Sequence, residues 1–420
     1  MNEIEAAACR KITWRLMPIL TIGYILNYLD RSNIGFAALQ MNREIGLTPA
    51  QFGFGAGILS VGYCLFEIPS NLALYRFGGR RWLARIMITW GLVAAGCALI
   101  VGWRSFFVLR VLLGLTEAGF FPGVAFLMSQ WFPAEKRTRM LAILLLGVPV
   151  SSIIGGPLSG ALLGLDRFGG LSGWQWMFII EGLPAALLGC AMLWVLADRP
   201  AVAAWLTPEE RIAIEDRIAS EPRHHEVAHF WVALKDPRVL LLALIQFGFT
   251  TGSYGIGIWL PQIIKTAIRS NLTVGFVSAV PYVIAAVLML VWAGYVDRSG
   301  RRVAHLALTC GLGAAGLLLS ISFGVGWLSF LWLTVALIGI TAARAIFWAI
   351  PARFLTGIAA AGGLAFINSI GTLGGFVGPA VVGWLRDATG SFSAGLAGMA
   401  GFLVLSTLLT LILGLLVPRG

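Results

Sequence analysis

The run Asn27-Tyr28-Leu29-Asp30-Arg31-Ser32-Asn33 sets an acid beside a guanidinium inside an apolar stretch from about Trp14 to Ala38. Each such charge at membrane depth costs on the order of 3 kcal/mol, and residues of this kind face a bundle interior or a watery cavity. Asn27 and Arg31 are four apart and share a helix face, with Asp30 one step round. A second set is Arg110, Gly114 and Glu117, which form one line because seven residues make close to two turns. A guanidinium can grip a carboxylate with two parallel hydrogen bonds. A carboxyl group withdrawn from water takes up a proton more readily, and beside an Arg it competes with a bound anion. Protonating it frees the Arg, which ties proton binding to anion binding. Asp30 and Glu117 are therefore the candidate proton carriers and Arg31 the candidate anion ligand. A structural ion pair remains the alternative for Arg110 and Glu117.

Other polar side chains fall in apolar surroundings. Tyr63 could face a cavity, and Glu67, four residues on, reads as a gate or scaffold group. Tyr254, Asn368, Ser369 and Thr372 offer neutral hydrogen-bond groups, with Asn368 and Thr372 on one face. Such groups also serve as interhelical contacts. Arg344 is a further cation in an apolar span. Facing Arg31 across a cavity it would suit a dicarboxylate. As a structural or snorkelling residue it would leave an aromatic acid, with Tyr63 and Tyr254 stacking on the ring.

These residues need a membrane scaffold. The chain has 420 residues, 58% hydrophobic and 12% charged, with a net charge of +11 and mean hydropathy +0.87. That composition excludes a soluble domain. Twelve apolar stretches recur, at about 14–36, 51–74, 82–102, 105–128, 140–163, 174–196, 238–261, 274–296, 303–323, 327–349, 360–384 and 392–417. The basic residues sit in the short loops between them, which argues against nucleic acid as a partner. With the N-terminus in the cytoplasm, 21 Lys and Arg fall in inner loops and termini and 6 in outer loops, with Arg31, Arg110 and Arg344 inside spans. This bias predicts cytoplasmic termini.

The twelve spans divide into two halves. Asp297-Arg298-Ser299-Gly300-Arg301-Arg302 follows the eighth span, and Tyr75-Arg76-Phe77-Gly78-Gly79-Arg80 follows the second, at an offset of 222. The same offset carries Gly156-Pro157 onto Gly378-Pro379. The expected fold is all-α, two pseudo-symmetric six-helix bundles (1–197 and 238–420) joined by a cytoplasmic linker (198–237), with the site where the halves meet. In the linker, Thr207-Pro208-Glu209-Glu210 carries an N-cap, a first-turn proline and a capping-box acid. Ile212, Ile214 and Ile218 then predict a short amphipathic helix at the membrane surface. His224, His225 and His229 follow it without acidic or Cys partners at ligand spacing, so no metal site is expected. Four of the five cysteines lie in apolar spans and read as small buried residues. No span holds an HExxH pair, a GxSxG elbow, a paired-Asp motif or a Walker loop, which argues against an enzyme. The linker is too small for a sensor's output domain.

These features resemble the major facilitator superfamily and, within it, the anion:cation symporter family. Asp297-Arg298-Ser299-Gly300-Arg301-Arg302 is similar to the superfamily's cytoplasmic signature. The first copy departs from it, with Tyr75 where the signature has Asp. Closer matches are Tyr28 to Ala37, Phe66-Glu67-Ile68-Pro69-Ser70-Asn71, Arg80-Arg81-Trp82, Trp131-Phe132-Pro133, Gly173-Trp174-Gln175-Trp176 and Trp259-Leu260-Pro261. The nearest resemblance is to bacterial tartrate, phthalate and 4-hydroxyphenylacetate permeases. It implies proton-driven uptake of an organic anion across the bacterial inner membrane, with protons as the coupling ion and no other cofactor. It implies proton carriage by Asp30 and Glu117, carboxylate binding by Arg31, and matching roles for Asn368, Tyr28 and Tyr63. Arg110, Glu67, Arg76, Asp297, Arg298 and Arg302 are expected in gating or structural roles, and a monomer is expected. A facilitator or exporter without proton coupling is the rival on the same fold.

Overall fold

The computed structural model describes residues 3–220, 236–324, 326–351 and 357–416, apart from the side chains of Thr138, Asp297, residues 357–362 and Ala365. Among the described residues every regular element is helical. The first half holds α1 (Glu3–Glu44), α2 (Pro49–Phe77), α3 (Gly79–Gly96), α4 (Trp103–Glu117), α5 (Phe120–Trp131), α6 (Ala134–Leu145), α7 (Gly147–Leu162) and α8 (Gly173–Val195). The linker carries α9 (Pro208–Ala219). The second half holds α10 (Pro237–Lys265), α11 (Asn271–Ser299), α12 (Arg302–Ser322), α13 (Trp327–Phe347), α14 (Gly357–Thr389) and α15 (Phe392–Leu416). Eleven helical stretches are long and apolar enough to cross a membrane. The twelfth span is α1, 42 residues and roughly 60 Å at 1.5 Å per residue. Asn27, Asp30, Arg31 and Asn33 make it the least apolar span.

The closest contacts between the halves lie at the end away from both termini. There α1 meets α10, α2 meets α14, and α7 meets α11. Glycine makes these approaches possible. A Cβ on Gly35 would lie 2.5 Å from the Ile258 carbonyl oxygen, one on Gly53 2.3 Å from that of Pro379, and one on Gly275 2.2 Å from that of Gly156. The 222-residue offset carries Gly53 onto Gly275, so the two contacts are related by the internal repeat. Phe52 closes edge-on against Trp259 at 5.1 Å between centroids. One hydrophobic core runs through this far end from Ile34, Phe52 and Phe106 to Trp259 and Val274, while a second fills the first half toward the termini.

The linker helix forms as its sequence dictates. Thr207 Oγ1 accepts from the Glu210 N–H at 3.2 Å, and Glu210 Oε2 accepts from the Thr207 N–H at 2.9 Å. Its apolar face is covered by protein, which differs from the expected surface helix. Ile214 is fully buried where α9 packs on α1 and α5, and Ile212 alone of the three isoleucines is exposed. Trp205 stacks on Trp131 at 5.4 Å. Lys11 reaches Glu210 at 2.7 Å and pulls that carboxyl below its ordinary range. His224, His225 and His229 lie outside the described residues.

The loop between α2 and α3 explains the departure at Tyr75. Gly78 adopts φ +85, and the carboxylate that meets the start of α3 comes from Asp198, just beyond α8. Its Oδ1 accepts from the Arg80 N–H at 2.8 Å. Asp198 thus places an acid from the linker junction at the start of α3. Arg76 lies exposed 5.7 Å from the Phe77 ring. In the second copy Arg298 is exposed, Arg302 is half-buried, and the Asp297 side chain lies outside the described residues.

Candidate substrate and proton site

The fourth span is broken where its acid sits. The run 105–128 reads as one continuous apolar span, but α4 ends at Glu117 and α5 begins at Phe120. Ala118 turns extended and Gly119 takes φ +87, a conformation that favours glycine. Ser70 secures the break: its Oγ donates to the Ala118 carbonyl at 2.7 Å and accepts from Trp82 Nε1 at 3.0 Å. A Cβ on Gly119 would lie 2.3 Å from that hydroxyl. Irregular backbone at membrane depth is tolerated only where its polar groups find partners. Broken helices of this kind form binding sites in transporters.

Glu117, at the end of that half-helix, is fully buried. Its Oε1 accepts from Asn27 Nδ2 at 2.7 Å, from Arg31 Nε at 2.5 Å, and from Arg31 Nη2. Its Oε2 is buried without a hydrogen-bond partner. Arg31 donates from Nη1 to Tyr254 Oη at 3.0 Å, across the interface between the halves. Tyr63 and Tyr28 flank its guanidinium, with ring centroids 5.0 and 5.6 Å away. The structure thus gathers Asn27, Tyr28, Arg31, Tyr63, Glu117 and Tyr254 into one cluster. Glu117 occupies the Nε/Nη2 edge of Arg31, which is the edge a bidentate carboxylate would use.

The pairing differs from the sequence expectation in one respect. Arg110 and Glu117 share a line on the fourth span, yet Glu117 pairs with Arg31 instead. Arg110 is 1% exposed, and only its Nη2 bonds, to the Ala56 carbonyl at 3.1 Å. Its Nε and Nη1 have no hydrogen-bond partner. Asp30 points away from the Arg31 cluster into the first half. It accepts from Trp90 Nε1 at 2.6 Å and from Asn33 Nδ2 at 3.2 Å. The charges that act on it include Glu181, Glu117 and Arg110.

On the opposite wall, Arg344 Nη2 lies 3.5 Å from Ser253 Oγ, a weak contact. The only acids from residue 238 onward are Asp297 and Asp387, at the ends of their spans, so no carboxylate of the second half's membrane interior can neutralise Arg344. Tyr282 lies within its electrostatic reach. Asn368 is half-buried and Ser369 exposed, while Thr372 donates its hydroxyl to the Asn368 carbonyl at 2.8 Å. Thr372 therefore has only lone pairs to offer a ligand. Glu67 is half-buried within electrostatic reach of Arg31. Sequence reasoning missed Glu181, Trp90 and Ser70. Glu181 had a signal, as the one charged residue in the sixth span.

A twelve-span bundle in two related halves, with a charged cluster where they meet, defines a membrane carrier. The Major Facilitator Superfamily model matches residues 20–379, and the chain belongs to that superfamily. An Agrobacterium vitis protein named "Putative tartrate transporter" is 47% identical over 421 residues, covering 100% of this chain and 94% of that protein. An Acinetobacter baumannii protein named "Quinolone resistance transporter" is 41% identical, covering 98% of this chain and 95% of that protein. A crystal structure of a D-xylose–proton symporter matches with TM-score 0.76 over 96% of this chain and 98% of that one, at 14% identity, a likeness of fold alone. The protein is a multi-pass membrane transporter and not an enzyme.

Proposed function

We propose that the protein is a proton-coupled symporter that brings a small organic carboxylate into the cytoplasm by alternating access. One observation carries this reading: Glu117 holds the same edge of Arg31 that a substrate carboxylate needs. With Glu117 ionised, the edge is taken. With Glu117 protonated, the attraction falls and the edge is free for the anion. Proton and anion then load together, and both leave when Glu117 reclaims Arg31. Tyr28, Tyr63 and Tyr254 frame the anion. Arg344, with no carboxylate near its own half's membrane interior, favours a second carboxylate on the substrate over an aromatic acid. A relative named for tartrate supports that choice. The Lys and Arg bias supports cytoplasmic termini in a bacterial inner membrane. In the single conformation described, the halves are closed at the far end, which in that orientation makes this the inward-facing state.

A second reading, export, is favoured by the relative named for quinolone resistance. Proteoliposomes with an imposed proton gradient separate the two readings, tested with a panel of hydroxydicarboxylates, aromatic acids and a quinolone. Symport predicts accumulation of one acid down the gradient, collapse with an uncoupler, and loss of concentrative uptake in Glu117→Gln with exchange retained. Transport that ignores the gradient, or a Glu117→Gln variant that still concentrates substrate, refutes it.

A further inference from the structure

A third carboxylate is buried in the first half and takes no part in the Arg31 switch. Glu181 on α8 is 1% exposed. Its Oε1 accepts from Ser159 Oγ at 2.8 Å, while its Oε2 is buried without a hydrogen-bond partner. Asn33 stands between it and Asp30. The Asn33 amide donates to Asp30 Oδ1 at 3.2 Å and interacts with the Glu181 carboxyl on its other side. Asn33 Oδ1 is also buried and unpartnered. Two buried acceptors without donors thus lie on two side chains that interact. A buried polar atom left without a partner is costly. A proton on Glu181 turns one acceptor into a donor and can satisfy both. Asp30 needs none, since Trp90 and Asn33 already donate to its two oxygens.

Charge counting leads to the same pair. The fully buried charges of the first half are Asp30, Glu117 and Glu181 against Arg110, with the Arg31 guanidinium bonded to Glu117. Arg31 and Glu117 cancel, leaving two carboxylates to one guanidinium, and net charge is costly to bury. One proton makes the set neutral. Beyond the pair itself, the charged and titratable groups facing it are Arg110 and Glu117 of α4 and Cys97 just beyond α3, all of them toward Asp30. From α7 comes only Ser159, and from α2 only the Ala56 carbonyl that holds Arg110.

We propose that Glu181, Asn33 and Asp30 form one hydrogen-bonded group that holds a single proton, and that this proton rests on Glu181 in the conformation described. This site is separate from the Glu117–Arg31 switch. It adds a second proton-binding element to the symport reading and rests on that reading only for its role in transport. Infrared spectroscopy of the full chain in lipid tests it directly. At neutral pH the wild type should show a protonated-carboxyl band that vanishes in Glu181→Gln and survives in Glu117→Gln. Ser159→Ala keeps the acid but removes a donor, so it should move the band, and it decides the matter should Glu181→Gln fail to fold. The absence of the band in wild type, its persistence in Glu181→Gln, or its indifference to Ser159→Ala overturns the proposal. In proteoliposomes Glu181→Gln should shift the pH dependence of uptake by about one unit or more toward acid, as expected when one of two interacting carboxylates is removed. Wild-type transport that proves indifferent to protons sinks the symport reading and leaves the spectroscopic test intact.

Discussion

Closure of the far end depends on side chains that are absent, and restoring one should open it. Gly275→Ala would place a Cβ 2.2 Å from the Gly156 oxygen, and Gly53→Ala one 2.3 Å from the Pro379 oxygen. Favourable carbon–oxygen contacts begin near about 3.3 Å, so each substitution requires roughly 1 Å of separation between helices. Overpacking of this size costs about 1–3 kcal/mol. Alanine also favours a helix by about 1 kcal/mol over glycine, but α2 and α11 remain helical in either conformer, so that gain cancels between them. The closed state should lose roughly 5- to 150-fold in population relative to the state open at the far end, at 1.4 kcal/mol per factor of ten. The two sites act on different helix pairs, so the double variant should lose close to the product. The assay is a spin-label distance between Cys at the exposed positions 43 and 269, in a background without native cysteines. Each alanine should lengthen the distance distribution, and the pair should lengthen it most. Gly257→Ala is the control, since its Cβ would meet nothing nearer than Tyr282 Oη at 3.4 Å, an ordinary contact. If Gly53→Ala and Gly275→Ala both return the wild-type distribution, the glycine contacts do not govern closure and the reasoning fails.

Two further outcomes follow from the geometry. Arg344→Gln should raise KM for a dicarboxylate about 10- to 150-fold, the worth of one hydrogen bond to a charged group, while a monocarboxylate analogue changes little; equal losses for both would make Arg344 structural. The Lys11–Glu210 contact holds the Glu210 carboxyl below its ordinary range, so its contribution to docking α9 is complete above the unfolded carboxylate value near about 4.3 and is lost as pH falls through the lower folded value. Hydrogen exchange of α9, corrected for intrinsic rates, should therefore stay constant from pH 8 to pH 5 and rise only a few-fold in Lys11→Ala, because Lys11 is 48% exposed.

The residues of the site were legible in the sequence because charge inside an apolar span is costly and therefore conspicuous. Asp30, Arg31, Glu117 and Arg344 stood out on that ground, and so did the two halves, through a repeat offset that recurs at separate places. Which partner each charge takes was not legible. Helical periodicity places Arg110 and Glu117 on one line, but the line does not say which neighbouring helix meets it. The break after Glu117 was hidden because a single glycine in an apolar run reads as a tolerated defect. It becomes a break only when Ser70, 48 positions away, satisfies the freed carbonyl. Glu181 carries the same signal, as the one charge of its span, but no second charged residue in that span suggests a partner for it. Thr372 spends its hydroxyl proton on the Asn368 carbonyl, a local bond that competes for every hydroxyl in a helix.

Arg31 joins the chemistry of this site to its motion. It is the one side chain in the cluster bonded to both halves, through Glu117 on one side and Tyr254 on the other. A ligand can shift a conformational equilibrium only by as much as its affinity differs between the states. The Arg31–Tyr254 bond supplies such a difference, because it spans the halves and depends on how the guanidinium is held. While Glu117 is ionised, it fixes Nε and Nη2 and leaves Nη1 aimed at Tyr254. In the proposed symport cycle, protonating Glu117 and seating an anion on that edge would make the guanidinium follow the anion, and a second carboxylate on the anion would reach toward Arg344. On that proposal, proton occupancy of one buried carboxyl would change a contact between the halves, with the flanking Tyr28 and Tyr63 limiting how far Arg31 could swing.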